Sequence, residues 1–132
     1  MTLALPDTSA WARIHQPDVG RQIAEAIRRN DLVTILPITL ELLRAAENAQ
    51  DLRLRARRYQ ALRDVELSPQ IGRRALEVQE ALAERGYHRG PSPVDLIAAA
   101  AAESVGAELW HCDRHFELIA EVTGQPHRRL GL

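Results

Sequence analysis

The sequence predicts an α/β fold built around a mostly parallel sheet. Short apolar runs, several of them β-branched, alternate along the 132 residues with longer stretches whose apolar residues recur at helical spacing. Such alternation is typical of repeated strand–helix–strand units, which place parallel strands in one sheet. The length suits one domain of ordinary size, so we expect residues 1–132 to form a single compact domain.

The first predicted strand–helix–strand unit occupies the N-terminal quarter of the chain. Residues 2–5 form a short apolar run that ends at the polar corner of residues 6–9, which suits a strand leaving a sheet. Residues 17–30 begin with a proline and space their apolar residues four apart, so they predict a surface helix with one buried face. That face carries Val19, Ile23 and Ile27. Residues 32–36 are short, β-branched and bounded by an acid and a proline, which predicts a buried strand.

Two further helices are predicted in the middle of the chain. The first opens at Pro37 and carries Leu40 on its apolar side. After a break near residues 48–50, the helical pattern continues over residues 53–63. Residues 65–67 are a short strand candidate before the next proline.

The second half of the chain repeats the alternation. A helix runs to Gly86, because glycine is a common residue just after a helix C-terminus. Its apolar positions are Ile71, Ala75, Val78 and Leu82. Residues 87–93 are predicted to form a loop. The remaining predicted elements are a helix at 92–105, a strand at 108–112, a helix at 114–122 and a strand at 128–130.

The composition is that of a globular protein, with 45% hydrophobic and 27% charged residues. No apolar run approaches the roughly 20 residues that span a bilayer, so no membrane partner is expected. The apolar start at residues 3–5 is interrupted by Pro6, which argues against a signal peptide. Cys112 is the only cysteine, so an internal disulfide is excluded. We therefore expect a cytoplasmic protein.

The charge distribution gives no general nucleic-acid surface. The formal net charge is −1, and all 17 basic residues are arginine. Binding of a polyanion would therefore depend on a local patch. The arginine-rich run at residues 53–58 suits an RNA backbone, although such a run is more often a solvated helix face.

Four carboxylates stand near the ends of predicted elements. Asp7 and Asp113 each follow a predicted strand, and the carboxyl ends of parallel strands meet at one edge of a sheet. Asp95 lies in the first turn of a helix, and Glu41 lies one turn into the helix that follows the second strand. All four can converge at that edge.

Converging carboxylates repel one another and favour a bound cation. An all-oxygen donor set suits Mg²⁺ or Mn²⁺ rather than Zn²⁺. Such a cation positions water against a phosphodiester and stabilises the charge that develops on the phosphoryl oxygens. The predicted chemistry is hydrolysis of a nucleic-acid backbone.

These motifs, in this order, resemble those of the PIN-domain ribonucleases, and specifically the VapC-like toxins of type II toxin–antitoxin systems. The resemblance covers nearly the whole chain. It rests on Asp7-Thr8-Ser9-Ala10-Trp11, Thr39-Leu40-Glu41-Leu42-Leu43, Pro93-Val94-Asp95-Leu96-Ile97-Ala98-Ala99-Ala100 and His111-Cys112-Asp113-Arg114-His115-Phe116. It implies a PIN-like three-layer α/β/α fold and an endoribonuclease that cleaves RNA, is neutralised by a cognate antitoxin protein and forms a homodimer.

The resemblance also assigns roles to residues. It makes Asp7, Glu41, Asp95 and Asp113 the catalytic and metal-binding acids, and Ser9 a supporting group. The cofactor it implies is Mg²⁺ or Mn²⁺. The arginine directly after the last acid, Arg114, is the best candidate for a substrate contact by position, and a salt bridge to a neighbouring acid is its alternative.

Two positions depart from the family pattern. Pro6 stands where an apolar strand residue is usual, so the end of the first strand is expected to bend. His115 stands where many relatives carry a further acid, which puts a second metal ion in question.

Other interpretations remain open at this stage. Each acid alone also suits a helix cap, a turn or a solvated surface. A catalytically weak PIN-like module that binds RNA or protein is the alternative function, and a structure-specific DNA nuclease is a third.

Overall fold

The computed structural model describes residues 2–131, which form five strands and seven helices. The strands are β1 (Ala4–Pro6), β2 (Val33–Thr34), β3 (Arg63–Asp64), β4 (Glu108–His111) and β5 (His127–Arg129). The helices are α1 (Thr8–Ala12), α2 (Pro17–Arg28), α3 (Leu36–Leu43), α4 (Ala49–Gln60), α5 (Pro69–Glu84), α6 (Pro93–Ser104) and α7 (Arg114–Thr123). Met1 and Leu132, the two ends of the predicted 1–132 domain, lie outside the described residues.

The strands pair in parallel throughout the described chain, as predicted. β4 pairs with β1 on one side and with β5 on the other, and β2 pairs with β3. A single parallel bridge between Ala4 and Leu32, with the Ala4 amide donating to the Asp31 carbonyl at 2.8 Å, joins the two groups. The spatial order is therefore β3-β2-β1-β4-β5. With helices on both faces, this is the predicted three-layer α/β/α arrangement.

The order of the strands fixes where a site can form. The chain steps outward from β1 to β3 and then returns to the opposite side of β1 with β4. Neighbouring connections therefore diverge between β1 and β4, and the carboxyl ends of two such strands are where open parallel sheets commonly bind ligands. Asp7 follows β1 directly, and Asp113 lies two residues after β4.

The expected bend at Pro6 is wrong, because Pro6 is the last residue of β1 and is in register with Trp110. The Asp7 amide then continues the ladder by donating to the Trp110 carbonyl at 2.9 Å. Backbone groups alternate in direction along a strand, so the Pro6 nitrogen faces β2, as the Ala4 nitrogen does. Since β2 bridges β1 only at Ala4, the missing N–H of Pro6 leaves no ladder position empty.

Helix boundaries follow local capping signals. α5 and α6 each begin with a proline behind a serine cap, and the Ser68 and Ser92 hydroxyls accept amide protons from the first turn. The predicted break near residues 48–50 is the cap of α4, since Asn48 accepts the Asp51 amide at 2.8 Å. α4 consequently starts earlier and ends earlier than the predicted helix over 53–63.

The core lies between the sheet and the helices. α5, α6 and α7 pack against one another, and α6 also packs on β1 and β4. Five successive alanines of α6, residues 98–102, are all buried. Because each side chain is a single methyl group, the helix backbone lies close to its neighbours on every side.

Several predicted details are wrong in a consistent way. Ile27 and Leu40 are exposed, whereas Ala26 takes the third buried position of α2. The strand predicted over 32–36 is only two residues long, because Ile35 already caps α3. β3 precedes the predicted strand at 65–67. Tertiary packing overrides local pattern at these edge positions.

None of the helices within residues 2–131 combines the length and apolarity that a membrane crossing requires.

Candidate metal-binding acidic site

Asp7 is the most deeply buried acid at the carboxyl edge of the sheet, with 3% of its surface exposed. It caps α1, a short helix that the sequence did not predict, and its Oδ1 accepts the Ala10 amide at 3.0 Å. Burial raises the pKa of Asp7 to about 6, and the nearby charge of Asp95 acts in the same direction against hydrogen bonds that lower it. The fold thus holds a carboxyl group here at an electrostatic cost.

Ser9 links the carboxyl ends of β1 and β4. Its hydroxyl donates to Asp7, with Oδ1 at 2.8 Å, and accepts the Cys112 amide at 2.9 Å. One hydroxyl therefore connects the acid after β1 to the backbone after β4. This geometry suits the predicted supporting role of Ser9.

Asp95 occupies the first turn of α6, as predicted. It forms a capping box with Ser92, in which the Ser92 amide donates to Asp95 Oδ2 at 2.9 Å and the Asp95 amide donates to Ser92 Oγ at 3.1 Å. Capping is therefore part of its role. Burial raises the pKa of Asp95, and the charge of Asp113 contributes. A solvated cap does not show this behaviour, so Asp95 also belongs to the acidic cluster.

Asp113 caps α7 and shares its surroundings with a histidine. Asp113 Oδ1 accepts the His115 amide at 3.0 Å. The His115 ring lies near both neighbouring acids, with Nδ1 3.5 Å from Asp113 Oδ1 and 3.7 Å from Asp95 Oδ2. The charge of Asp95 thus raises the pKa of Asp7, the charge of Asp113 raises the pKa of Asp95, and an imidazole lies beside Asp95 and Asp113.

Glu41 and Arg114 are less closely associated with the other predicted site residues. Glu41 is half-buried on α3, which packs against α1 and α6, the helices next to Asp7 and Asp95. Within residues 2–131, no hydrogen bond or ion pair ties the Glu41 side chain to the other acids. Arg114 is exposed, and in the same residues it forms no ion pair with Asp113, so its alternative as a salt-bridge partner is not realised.

The described residues hold no group of three His, Cys, Asp or Glu side chains already spaced to bind a metal ion. The donor set nevertheless suits a hard cation, because it consists of carboxylate oxygens with no arginine paired to Asp7, Asp95 or Asp113 in that part of the chain. Mg²⁺ in proteins is commonly held by one or two carboxylates and several waters, so an open cluster is compatible with it.

The sequence interpretation did not give His111 its structural role. This ring is fully buried at the end of β4, and its Nδ1 accepts the Asp113 amide at 3.3 Å. The ring proton therefore lies on Nε2, which donates to His127 Nδ1 at 3.0 Å. Burial lowers the pKa of His111 to about 4, with His127 contributing, so the ring is neutral at pH 7. The only signal in the sequence was a polar residue at the end of an apolar strand.

A second feature is an apolar groove between α1, α2 and α4, here called the α1–α4 groove. It encloses a cavity of about 480 Å³. Its apolar lining consists of Trp11, Ile14, Ile27, Leu54, Tyr59 and Leu62. The buried Trp11 Nε1 has no hydrogen-bond partner among the described residues, and Arg55 and Arg58 stand at the rim. An exposed apolar surface of this kind commonly marks a binding site.

The sequence is similar to that of known proteins over most of its length. The family model for the PIN domain matches residues 4–122. The chain is 34% identical over 122 residues to ribonuclease VapC18 of Mycobacterium tuberculosis, covering 91% of this chain and 89% of that protein. It is 38% identical over 126 residues to ribonuclease VapC21 of the same species, covering 95% and 91%.

Solved structures share the fold at lower identity. The crystal structure of DNA-bound VapBC from Salmonella typhimurium superposes with a TM-score of 0.76 at 18% identity, covering 98% of both chains. That of VapBC2 from Rickettsia felis, bound to a promoter DNA fragment, gives 0.79 at 12% identity, covering 98% of this chain and 100% of that one.

Proposed function

The chain belongs to the PIN domain family, and on that premise we propose that it is a metal-dependent endoribonuclease acting as the toxin of a toxin–antitoxin pair. The observation that supports the proposal is that Asp95 lies close enough to Asp7 to raise its pKa, and Asp113 close enough to Asp95 to do the same there. The curated relatives are ribonucleases, and the chain aligns with two of them over nine-tenths of its length. We also propose that residues 1–132 act as one PIN-like domain in the cytoplasm.

The cation would be held by Asp7, Asp95 and Asp113, with Glu41 adding a carboxylate from α3. Mg²⁺ or Mn²⁺ suits these oxygen donors. When bound, such an ion supplies Lewis-acid activation of water and neutralises charge that develops on the phosphoryl oxygens. A positive charge also lowers the pKa of neighbouring carboxyl groups, so it would keep Asp7 and Asp95 ionised.

The remaining residues would position these groups and the RNA. Ser9 holds the Asp7 carboxylate toward β4, and the neutral His111 ring holds the backbone amide of Asp113. Arg114, exposed next to Asp113, is placed to receive a phosphate, and a guanidinium group binds phosphate through two hydrogen bonds.

The test is RNA cleavage by purified protein with Mg²⁺ or Mn²⁺. Asp7→Asn and Asp95→Asn should each lower the cleavage rate by about a hundredfold or more, since each removes a charge that the transition state needs. Asp64→Asn is the matched control, because Asp64 is an exposed acid on β3. Undiminished cleavage by both site variants would overturn the assignment.

One observation favours the alternative function. No three-ligand cluster is preformed in the described residues, which also suits a PIN-like module that binds RNA or protein without cleaving it. Calorimetry separates the two functions. Absence of Mn²⁺ binding, together with intact RNA binding, would favour the module.

The partner we propose is an antitoxin whose apolar segment lies in the α1–α4 groove. Arg58, which lines the groove, would attract acidic residues of that segment. Leu54→Asp should weaken binding of the protein encoded by the adjacent reading frame. Leu76→Asp is the control, because Leu76 is equally exposed but lies on α5, away from the groove. Equal binding by both variants would place the partner elsewhere.

A homodimer is proposed from the family resemblance. Leu36 and Leu40 are each 56% exposed and lie one turn apart on α3, so they offer an apolar patch to a second copy. Light scattering should give the mass of two chains for the native protein and of one chain for Leu36→Glu/Leu40→Glu. A single-chain mass for the native protein would contradict this.

A further inference from the structure

Two successive backbone amides after β4 are each held by a side chain. The Cys112 amide donates to Ser9 Oγ at 2.9 Å, and the Asp113 amide donates to Nδ1 of His111 at 3.3 Å. These two bonds fix the turn that carries the Asp113 carboxylate, which caps α7. The Ser9 hydroxyl is tied to the acid Asp7, whereas the His111 ring is tied to a residue outside the acidic site.

That residue is His127, an exposed histidine of β5 that lies 16 positions further along the chain. Its Nδ1 is 3.0 Å from Nε2 of His111, and the two rings stack with their centroids 5.2 Å apart and their planes 27° apart. Phe116 of α7 also packs against the His111 ring, with the centroids 5.5 Å apart. Since His111 is fully buried, these contacts hold its ring in one orientation.

The hydrogen bonds define which ring nitrogen carries the proton. A backbone N–H group can only donate, so Nδ1 of His111 is the acceptor for the Asp113 amide and the ring proton lies on Nε2. The Nε2–H group donates to Nδ1 of His127, and among residues 2–131 it has no other acceptor. In the opposite tautomer, the Nδ1–H group of His111 would face the N–H group of Asp113, and neither donor would be bonded.

We propose that His127 is a positioning residue for RNA cleavage. By accepting the Nε2 proton, it holds His111 in the tautomer and ring orientation that bind the Asp113 amide, and so it orients the Asp113 carboxylate. This inference rests on the proposed function, in which Asp113 is one of the catalytic acids. Asparagine is the conservative replacement for His127, because its Oδ1 atom occupies the position of Nδ1 and also accepts. Phenylalanine keeps the stacking surface of the ring and removes the acceptor.

The first measurement is NMR of the nitrogen-labelled, metal-free protein. The native protein should show scalar coupling across an N–H···N bond between the two rings, with His111 as the donor. In His127→Phe the buried Nε2–H group has no acceptor, so hydrogen exchange of the Asp113 amide should become about tenfold faster, as the loss of one hydrogen bond implies. His127→Asn should restore the native exchange rate. His15→Phe is the matched control at another exposed histidine and should leave the exchange rate unchanged.

The second measurement is RNA cleavage by the same variants with Mg²⁺. His127→Phe should lower kcat about tenfold and leave KM unchanged, because His127 acts on the orientation of a reacting group and not on RNA binding. His127→Asn should recover most of the native kcat, and His15→Phe should retain all of it.

The outcomes separate the positioning role from the function. A bond in which His127 is the donor, or native exchange and native kcat in His127→Phe, overturns the role of His127 and leaves the proposed nuclease intact. Equal losses in His127→Phe and His127→Asn also overturn it, because the acceptor atom is then not what matters. Native protein that shows the expected coupling and exchange but cleaves no RNA overturns the proposed function and leaves the effect of His127 on the Asp113 backbone.

Discussion

Carboxylates occur in two electrostatic settings in this protein. On the surface of α2, Glu25 accepts hydrogen bonds from Arg28 and lies beside Arg29, and the Arg28 bond is the main cause that lowers the pKa of Glu25 to about 2. At the sheet edge, Asp7 is buried and Asp95 is half-buried, neither has an arginine partner in the described residues, and the pKa values of both are raised. The 17 arginines of the chain thus compensate acids on the surface of α2 but not these two. This contrast is what the proposed cation would account for.

The largest change in the free energy of unfolding should come from Asp7→Asn in the metal-free protein. The pKa of Asp7 is about 6 in the folded state and 3.8 for the unperturbed group, so its contribution to stability is full below pH 3.8 and is lost as the pH rises through 6. Asparagine keeps the acceptor for the Ala10 amide without the charge. At pH 7.5 the variant should be more stable by about 2 to 3 kcal/mol, and at pH 4 the gain should nearly vanish.

Chemical denaturation at the two pH values measures this change. Glu25→Gln is the control, because its carboxylate is already compensated and exposed. A gain for Asp7→Asn that is independent of pH would show that the charge of Asp7 is not its cause.

Binding of a divalent cation at the acidic residues should stabilise the native protein. Mn²⁺ at about 100 times its dissociation constant should contribute about 2.7 kcal/mol. The shift should be smaller at pH 5 than at pH 7.5, since Asp7 is then largely protonated in the metal-free state. Differential scanning calorimetry of native protein and Asp7→Asn checks this, and an equal shift in both would indicate binding elsewhere.

Ser9→Ala should have a smaller effect on stability. It leaves the Cys112 amide without its acceptor and removes a donor from Asp7, at a cost of about 1–2 kcal/mol. Ser104→Ala is the matched control, because the Ser104 hydroxyl bonds only to the Ala101 carbonyl of its own helix. Thermal unfolding should show a larger loss of stability for Ser9→Ala than for Ser104→Ala. Equal losses of stability would contradict a bridging role for Ser9.

The smallest change in stability is expected at Glu25, the carboxylate that is already paired with arginine. Glu25→Gln should leave the unfolding midpoint unchanged at physiological salt, because exposed ion pairs contribute little and are screened. A marked destabilisation of Glu25→Gln in the same thermal scan would contradict the difference between the surface carboxylate and the acids at the sheet edge.

The sequence predicted best where local chemistry is decisive. The end of α5 near Gly86 and both ends of α6 were predicted closely, and in the structure Pro69 and Pro93 open these helices behind serine caps. Asp7, Asp95 and Asp113 were found because each follows a strand or opens a helix, which a parallel sheet directs to one edge. In the structure the charge of Asp95 acts on Asp7 and that of Asp113 acts on Asp95, and their catalytic and metal-binding roles remain predictions.

The remaining features depend on contacts distant in sequence. α1 is a helix of five residues with no periodicity to reveal it, and its cap is Asp7 itself. The bond between His111 and His127 joins residues 16 positions apart. The exposure of Ile27 and Leu40 depends on which helices leave a groove or a face uncovered, and the apolar pattern of a single helix does not contain that information.

The alanine run of α6 limits how far the helix that carries Asp95 can move. Residues 98–102 are buried, so a turn or slide of the helix would drive most of these side chains against packed neighbours. Ala100 differs, since it lines a cavity of about 490 Å³. Asp95 lies less than one turn before this run. Because the same packing holds its backbone, Asp95 has little freedom to follow a displaced ligand. An added methylene at the fully buried Ala101 would force the helix or its neighbours to shift, so the alignment of the acidic residues depends on the smallest side chains in the core.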